Sequence, residues 1–387
     1  MTTSSTITTA GWRTVGHEKA VDTLARSARD GRFAHAWLLA GPAHVGKMTL
    51  AMDIARLANC TADDAGSKPC GECRQCRRIT DALHADVRVI SQDGTTRRTA
   101  ISVDQIRELQ GDAILKPYEG RRRVFIIEDA DNFTQEAANA LLKMLEEPPD
   151  DVIFVLLASE VRENTADESA GAVAYNAERE QDRIAVMLDA VPQVGGILPT
   201  ILSRCQVLQL RPLPMSIVQS ELDRRFDLTP DGTTDIARIS AGRLGWALQA
   251  AADPQVLANR NERLDEIEAV LNSDLANKFK YAERMALSFG RSRDAVYDEM
   301  QLWLGWWRDV LVVNENNEDL VLNLSRLATL QAAASACASR QIVTAIRAVQ
   351  ETTAMLESNV NARLCIEGLM LRMPELEGQL PVAQADE

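Results

Sequence analysis

Residues 41–49, GPAHVGKMT, do most to limit what this chain can become. They follow the apolar run AWLLA and precede LAMDIARLAN, so the order is strand, glycine loop, helix. Gly, four residues, Gly and Lys is the spacing of a loop whose backbone amides turn inward on phosphate oxygens. The dipole of the following helix adds positive potential there. Gly41, Pro42, Gly46 and Lys47 are therefore candidate nucleotide-binding residues, with Lys47 reaching the terminal phosphates. One position departs from the pattern. The residue after the lysine ordinarily offers a hydroxyl to magnesium, and here it is Met48, whose soft thioether suits a hard cation poorly. Thr49 stands one residue further, about 100° around the helix axis, and does not simply replace it.

A second chemical signal follows the loop helix. Cys60, Cys70, Cys73 and Cys76 are separated by nine, two and two residues. Seven cysteines in 387 residues, without a secretory pattern, favour metal or free thiols over a disulfide framework. Three closely spaced thiols curl tightly, and a fourth closes a tetrahedron around Zn²⁺ at about 2.3 Å per sulfur. Four thiolates leave no open coordination position, so the expected site is structural. His84 is surplus to that set and reads as a packing or capping residue.

Around these signals the pattern is that of an α/β protein. Residues 86–90 read as a strand, followed by a polar turn with Arg97 and Arg98. A helix capped by Ser102 then runs toward Pro117. The run VFIIEDAD places Glu128 and Asp129 at a strand end, where phosphate-loop enzymes keep acids that support Mg²⁺ and prepare the attacking water. The usual order is Asp then Glu; here it is inverted, which moves each carboxylate by a methylene. A helix over 133–147 stops at Pro148 and Pro149, and 152–158 is apolar throughout, as a buried parallel strand should be. Residues 160–191 break the rhythm with eight acids and three bases and read as a surface insertion. Arg204, in Ser203-Arg204-Cys205 before the last strand, is either a surface cation or an arginine finger for a neighbour's ATP. Beyond residue 215 the pattern is helical, with an acidic turn over 227–235. Trp303, Trp306 and Trp307 share one helix face and read as packing rather than as a base-stacking platform. Cys205, Cys337 and Cys365 read as buried thiols.

Composition narrows the class. Hydrophobic residues make up 46% and charged residues 25%, ordinary for a globular protein. The longest apolar run, 152–158, is too short for a bilayer, and the polar start lacks a signal-peptide core, so a cytoplasmic chain is expected. A net charge of −14 opposes strong nucleic-acid binding by the isolated chain. Any DNA contact is expected to be shared with partners.

Taken together, HAWLLAGP before the loop, the four-cysteine module, VDQIREL, AANALLKMLEEPP, LPTILSRCQ and the terminal NVNARLCIEGLML resemble the AAA+ subunits of the bacterial DNA polymerase III clamp loader, and among them the delta prime type. The resemblance implies an AAA+ core with a five-stranded parallel sheet and inserted zinc module (1–212, module 60–76, acidic insertion about 160–195). A helical lid (213–255) and an all-α collar (256–387) would follow. It implies a ring of five subunits, with delta and gamma/tau neighbours, that places the sliding clamp on primed DNA. Arg204 matches the family's trans-acting finger, within the motif that includes Ser203 and Cys205. In AGRLGWAL, the position of a motor's cis sensor arginine is Gly245, with Arg243 two residues off. Met48, the inverted acids and Gly245 together imply a subunit of the polymerase holoenzyme without its own ATP hydrolysis, with ATP binding left open. The alternative is an ATP-hydrolysing motor of the gamma/tau type.

Overall fold

The structure, a computed structural model, describes residues 11–91, 100–159, 197–357, 360–376 and 378–381. Arg97 and Arg98, the acidic stretch 160–195 and the last six residues lie outside the described residues. The chain divides into two compact units, one built on residues up to 163 together with 196–248, the other on the remainder.

The first unit is organised by β1 (Ala36–Ala40), β2 (Val87–Ile90), β3 (Arg123–Ile127), β4 (Val152–Ala158) and β5 (Gln206–Gln209). They form one parallel sheet in the order β2-β3-β4-β1-β5. AWLLA and VIFVLLA are buried at every position because helices cover both faces. Alternate residues serve opposite layers. Trp37, Leu39, Val124 and Val155 meet α1 (Glu18–Arg29) and α2 (Lys47–Asn59). Leu38, Phe125 and Phe154 meet α4 (Val103–Ala113) and α5 (Gln135–Glu146). A short helix, α3 (Arg74–Thr80), packs on α2.

The helix borders have local causes. Gly16 and His17 take φ of 67° and 58°, which no right-handed helix accepts, so α1 begins only at Glu18. The preceding segment is instead gripped by buried Asp53, which accepts from Arg13 N, Thr14 N and Thr14 Oγ1. Ser102 and Gln105 form a reciprocal cap on α4, and Thr134 accepts from Ala137 N at the start of α5. The turn between Pro117 and β3 is shaped by two buried side chains. Asp86 accepts from Tyr118 N, Glu119 N and Gly120 N at 2.7–2.8 Å. Asn59 Oδ1 accepts from Arg121 N and Arg122 N at 2.8 and 2.9 Å.

After β5 come α7 (Met215–Arg225), α8 (Pro230–Ile239) and α9 (Leu244–Ala252); a one-turn α6 (Pro199–Leu202) precedes β5. The stretch 227–235, expected as a turn, is largely helix. Thr229 caps it by accepting from Gly232 N, and Pro230 occupies the first helical position, where its missing N–H costs nothing.

The second unit is helical: α10 (Pro254–Leu271), α11 (Leu275–Phe289), α12 (Arg293–Asn314), α13 (Leu327–Ala336), α14 (Ser339–Glu357) and α15 (Ala362–Arg372). Trp303, Trp306 and Trp307 of α12 are fully buried, so their shared face is core and offers no surface for bases. Two of the indoles are satisfied there. Trp303 donates to the Tyr281 hydroxyl at 2.8 Å, which donates to Glu299 at 2.9 Å, and Trp306 donates to Glu268 at 3.1 Å. Cys337 and Cys365 are buried in the same core.

Candidate functional site

The loop after β1 brings Gly41, Gly46 and Lys47 together at the N-terminus of α2. Gly41 has a φ of 154° and lies so close to β5 that an added Cβ would fall 2.3 Å from Leu210 O. Gly46, with φ 107°, stands at the N-cap of α2, where its missing side chain makes no capping bond to the first amides, the groups that face an anion in such loops. Lys47 does not stand open. Its Nζ donates to Gly41 O at 2.5 Å and to Ala158 O at 2.9 Å. Burial lowers its pKa, opposed by the charges of Asp131 and Asp129. Met48 packs against the apolar layer between α2 and the sheet, whereas Thr49 and Pro42 are exposed. The hydroxyl position is taken by a partly buried thioether packed against the core.

The acids at the end of β3 divide in role. Glu128 donates its backbone N–H to Ile90 O at 2.9 Å, and burial, then the neighbouring Asp129, raises its carboxyl pKa. Asp129 is exposed, at a left-handed φ of 48°. Asp131, which the sequence reading passed over, accepts from the backbone N–H of Ser159 at 3.0 Å and from its hydroxyl. It thereby ties the end of β4 to the acid loop. Its signal was the third acid of EDAD, four residues past the strand.

Gly245 meets the loop directly. Its N–H donates to His44 O at 2.8 Å, and a Cβ on it would lie 2.9 Å from that same oxygen. Arg243 turns its Nε to Ser240 O at 3.0 Å. The segment 241–248 thus touches the loop through backbone.

Arg204 follows α6. Its Nη2 pairs with Glu146 Oε1 at 2.6 Å, and its Nη1 donates to Thr200 O at 2.9 Å and Ser203 Oγ at 3.2 Å. The side chain stays 34% exposed. Cys205 beside it is buried, and burial pushes its thiol up to about 12, so it is inert packing.

The four cysteines converge. The Sγ atoms of Cys60, Cys70, Cys73 and Cys76 all lie within 4.8 Å of one another, and a tetrahedron of zinc–sulfur bonds needs sulfurs about 3.8 Å apart. Backbone amides already point at the sulfurs: Cys70 N at Cys60, Cys73 N at Cys70 and Cys76 N at Cys73, at 3.3–3.4 Å. Such donors favour thiolate over thiol. Burial acts the other way at Cys73, yet bonds from Thr61 and Cys76 bring it down to about 6; burial raises Cys60 and Cys76. The donor set fits a metal ion. His84 is not part of it: its Nε2 lies 2.9 Å from Gln75 Oε1, and its Nδ1 accepts from Asp86 N.

The model of the family described as "DNA polymerase III, delta subunit" matches residues 16–165. Over 359 residues the chain is 27% identical to DNA polymerase III subunit delta' of Bacillus subtilis, covering 91% of this chain and 94% of that protein. The chain is thus similar to subunits of DNA polymerase III. It is also 35% identical over 147 residues to the DNA polymerase III subunit gamma of Buchnera aphidicola, a match spanning 38% of this chain and 39% of that protein. The solved clamp loader delta protein of Bacillus subtilis aligns over 91% of this chain and 98% of that one. Its 13% identity and TM-score of 0.32 are too remote to bear on the assignment. No described helix of this chain is long and apolar enough to cross a membrane.

Proposed function

We propose that this chain is a clamp-loader subunit of DNA polymerase III, a delta prime-type stator. It does not hydrolyse ATP itself, and it donates Arg204 to ATP held by an adjacent motor subunit. The observation that carries this reading is the state of Lys47. The ammonium that would meet terminal phosphates places two of its three N–H donors on the carbonyl oxygens of Gly41 and Ala158. Met48 packed against the core and Gly245 against His44 support the same conclusion, because neither position then offers a metal-holding hydroxyl or a sensor cation. At most the loop residues, with Glu128 and Asp129, hold ATP without turning it over. In this reading 1–212 form the nucleotide-binding-type domain, 213–255 the lid and 256–387 the collar, with delta and gamma/tau subunits as neighbours. The assembly sets the sliding clamp on primed DNA, and the four cysteines hold one structural Zn²⁺.

ATP hydrolysis by the isolated chain and by the reconstituted complex, with clamp and primed DNA, tests the proposal. The isolated chain is expected to be silent and the complex active. A motor of gamma/tau type is favoured only by the retained Gly41, Gly46 and Lys47 and by the gamma likeness. It requires magnesium-dependent turnover by the chain alone, lost in Lys47→Ala. Metal analysis of the purified chain should return about one zinc per chain. Cys73→Ser should lose that zinc and lower the melting temperature; retention of full zinc would remove the proposed ligand set.

A further inference from the structure

We infer that Glu146 is a positioning residue for Arg204, an assignment that rests on the trans-finger reading. Glu146 is the last residue of α5, immediately before the Glu147-Pro148-Pro149 stop, so its carboxylate is carried by a rigid element. Its Oε1 takes Nη2 of Arg204 at 2.6 Å, while Thr200 O and Ser203 Oγ take Nη1 at 2.9 and 3.2 Å. Nε has no partner among the described residues. The guanidinium is therefore fixed on one side by three acceptors of its own chain, with N–H donors left over for a phosphate oxygen. A long arginine loses much rotamer freedom when it is ordered, and here the ordering precedes any encounter with a neighbour. Glu146 is half exposed and Arg204 one-third exposed, so the pair adds little to folding. Its expected consequence lies in positioning a cation for charge that develops in the transition state.

The test is a double-mutant cycle in the reconstituted clamp loader, reading kcat and KM for ATP with clamp and primed DNA present. Glu146→Ala should lower kcat by about 5–10-fold with KM little changed, the mark of an interaction made in the transition state. Glu146→Gln, whose amide oxygen can still accept from Nη2, should restore most of that loss. In an Arg204→Ala background, Glu146→Ala should have no further effect, because the residue acts only through the arginine. If Arg204→Ala leaves turnover unchanged, the finger reading itself falls. If Arg204→Ala is severe but Glu146→Ala adds its full loss on top, Arg204 stands and Glu146 has a separate role. A rise in kcat for Glu146→Ala would make the pair a restraint and overturn the inference. Equal melting temperatures for Glu146→Ala and Glu146→Gln exclude misfolding as the source of any difference between them.

Discussion

Lys47 and Arg204 are both cations that a phosphate would attract, and the fold treats them in opposite ways. Lys47 is drawn inward, with its ammonium bonded to two backbone carbonyls and its pKa lowered by burial. Arg204 is held near the surface by one carboxylate and two neutral oxygens, with Nε unspent among the described residues. A lysine is a point charge that backbone oxygens readily satisfy. An arginine has five N–H donors and can be anchored while still offering some of them. The difference teaches that one chain can keep the architecture of a phosphate site while its charge is directed to a second place.

Breaking the outward cation should have the largest effect. Arg204→Ala in the complex is expected to cut ATP turnover by about 10³-fold, the lower end for arginine fingers, with assembly intact by size-exclusion chromatography. Next comes the backbone seam that seals the inward site. Gly245→Ala places a methyl 2.9 Å from His44 O and should cost about 1–3 kcal/mol in urea unfolding, without creating hydrolysis by the isolated chain. Lys47→Ala should cost about 1 kcal/mol through the carbonyls it leaves, while changing turnover of the complex by less than about twofold. A loss of turnover comparable to that of Arg204→Ala would erase the contrast between the two cations. The smallest effect is a pH slope. Because the folded pKa of Lys47 lies below 10.5, the unfolded chain binds more protons between the two values. Stability should therefore gain a rising contribution as pH climbs through that window toward 10.5, and lose it in Lys47→Ala; urea unfolding at stepped pH measures the slope.

Much of the scaffold is legible in local pattern. The unbroken apolar runs before the loop and after Pro149 can only be strands covered on both sides, and their parallel pairing follows. The cysteine spacing likewise brings its own residues together, because most of the closure is local. What stays hidden depends on meetings between distant segments. Glu146 and Arg204 are 58 residues apart, and nothing in LLKMLEE marks one glutamate as the arginine's partner. The seam between Gly245 and His44 is a backbone contact, which no side-chain pattern announces. At 227–235 composition misled, since Asp, Gly, Thr and Pro suggest a turn yet also make a helix start. The tryptophan face was readable as core, but not that Trp303 would close a hydrogen-bonded chain through Tyr281 to Glu299.

The turn over 118–122 has a consequence of another kind. Asp86 and Asn59 hold it through five backbone amides, so its shape is written by two residues outside it. Gly120 alone is sterically pinned, since a Cβ there would lie 2.5 Å from Asn59 Oδ1. Tyr118, 84% exposed, and the exposed Arg121 add nothing to that grip through their side chains. The loop behaves as a mount with an interchangeable face at 118 and 121: the chemistry there can be rewritten while the frame, to which the Glu119 carboxylate adds its own bonds from Ala85 N and Arg78, stays the same.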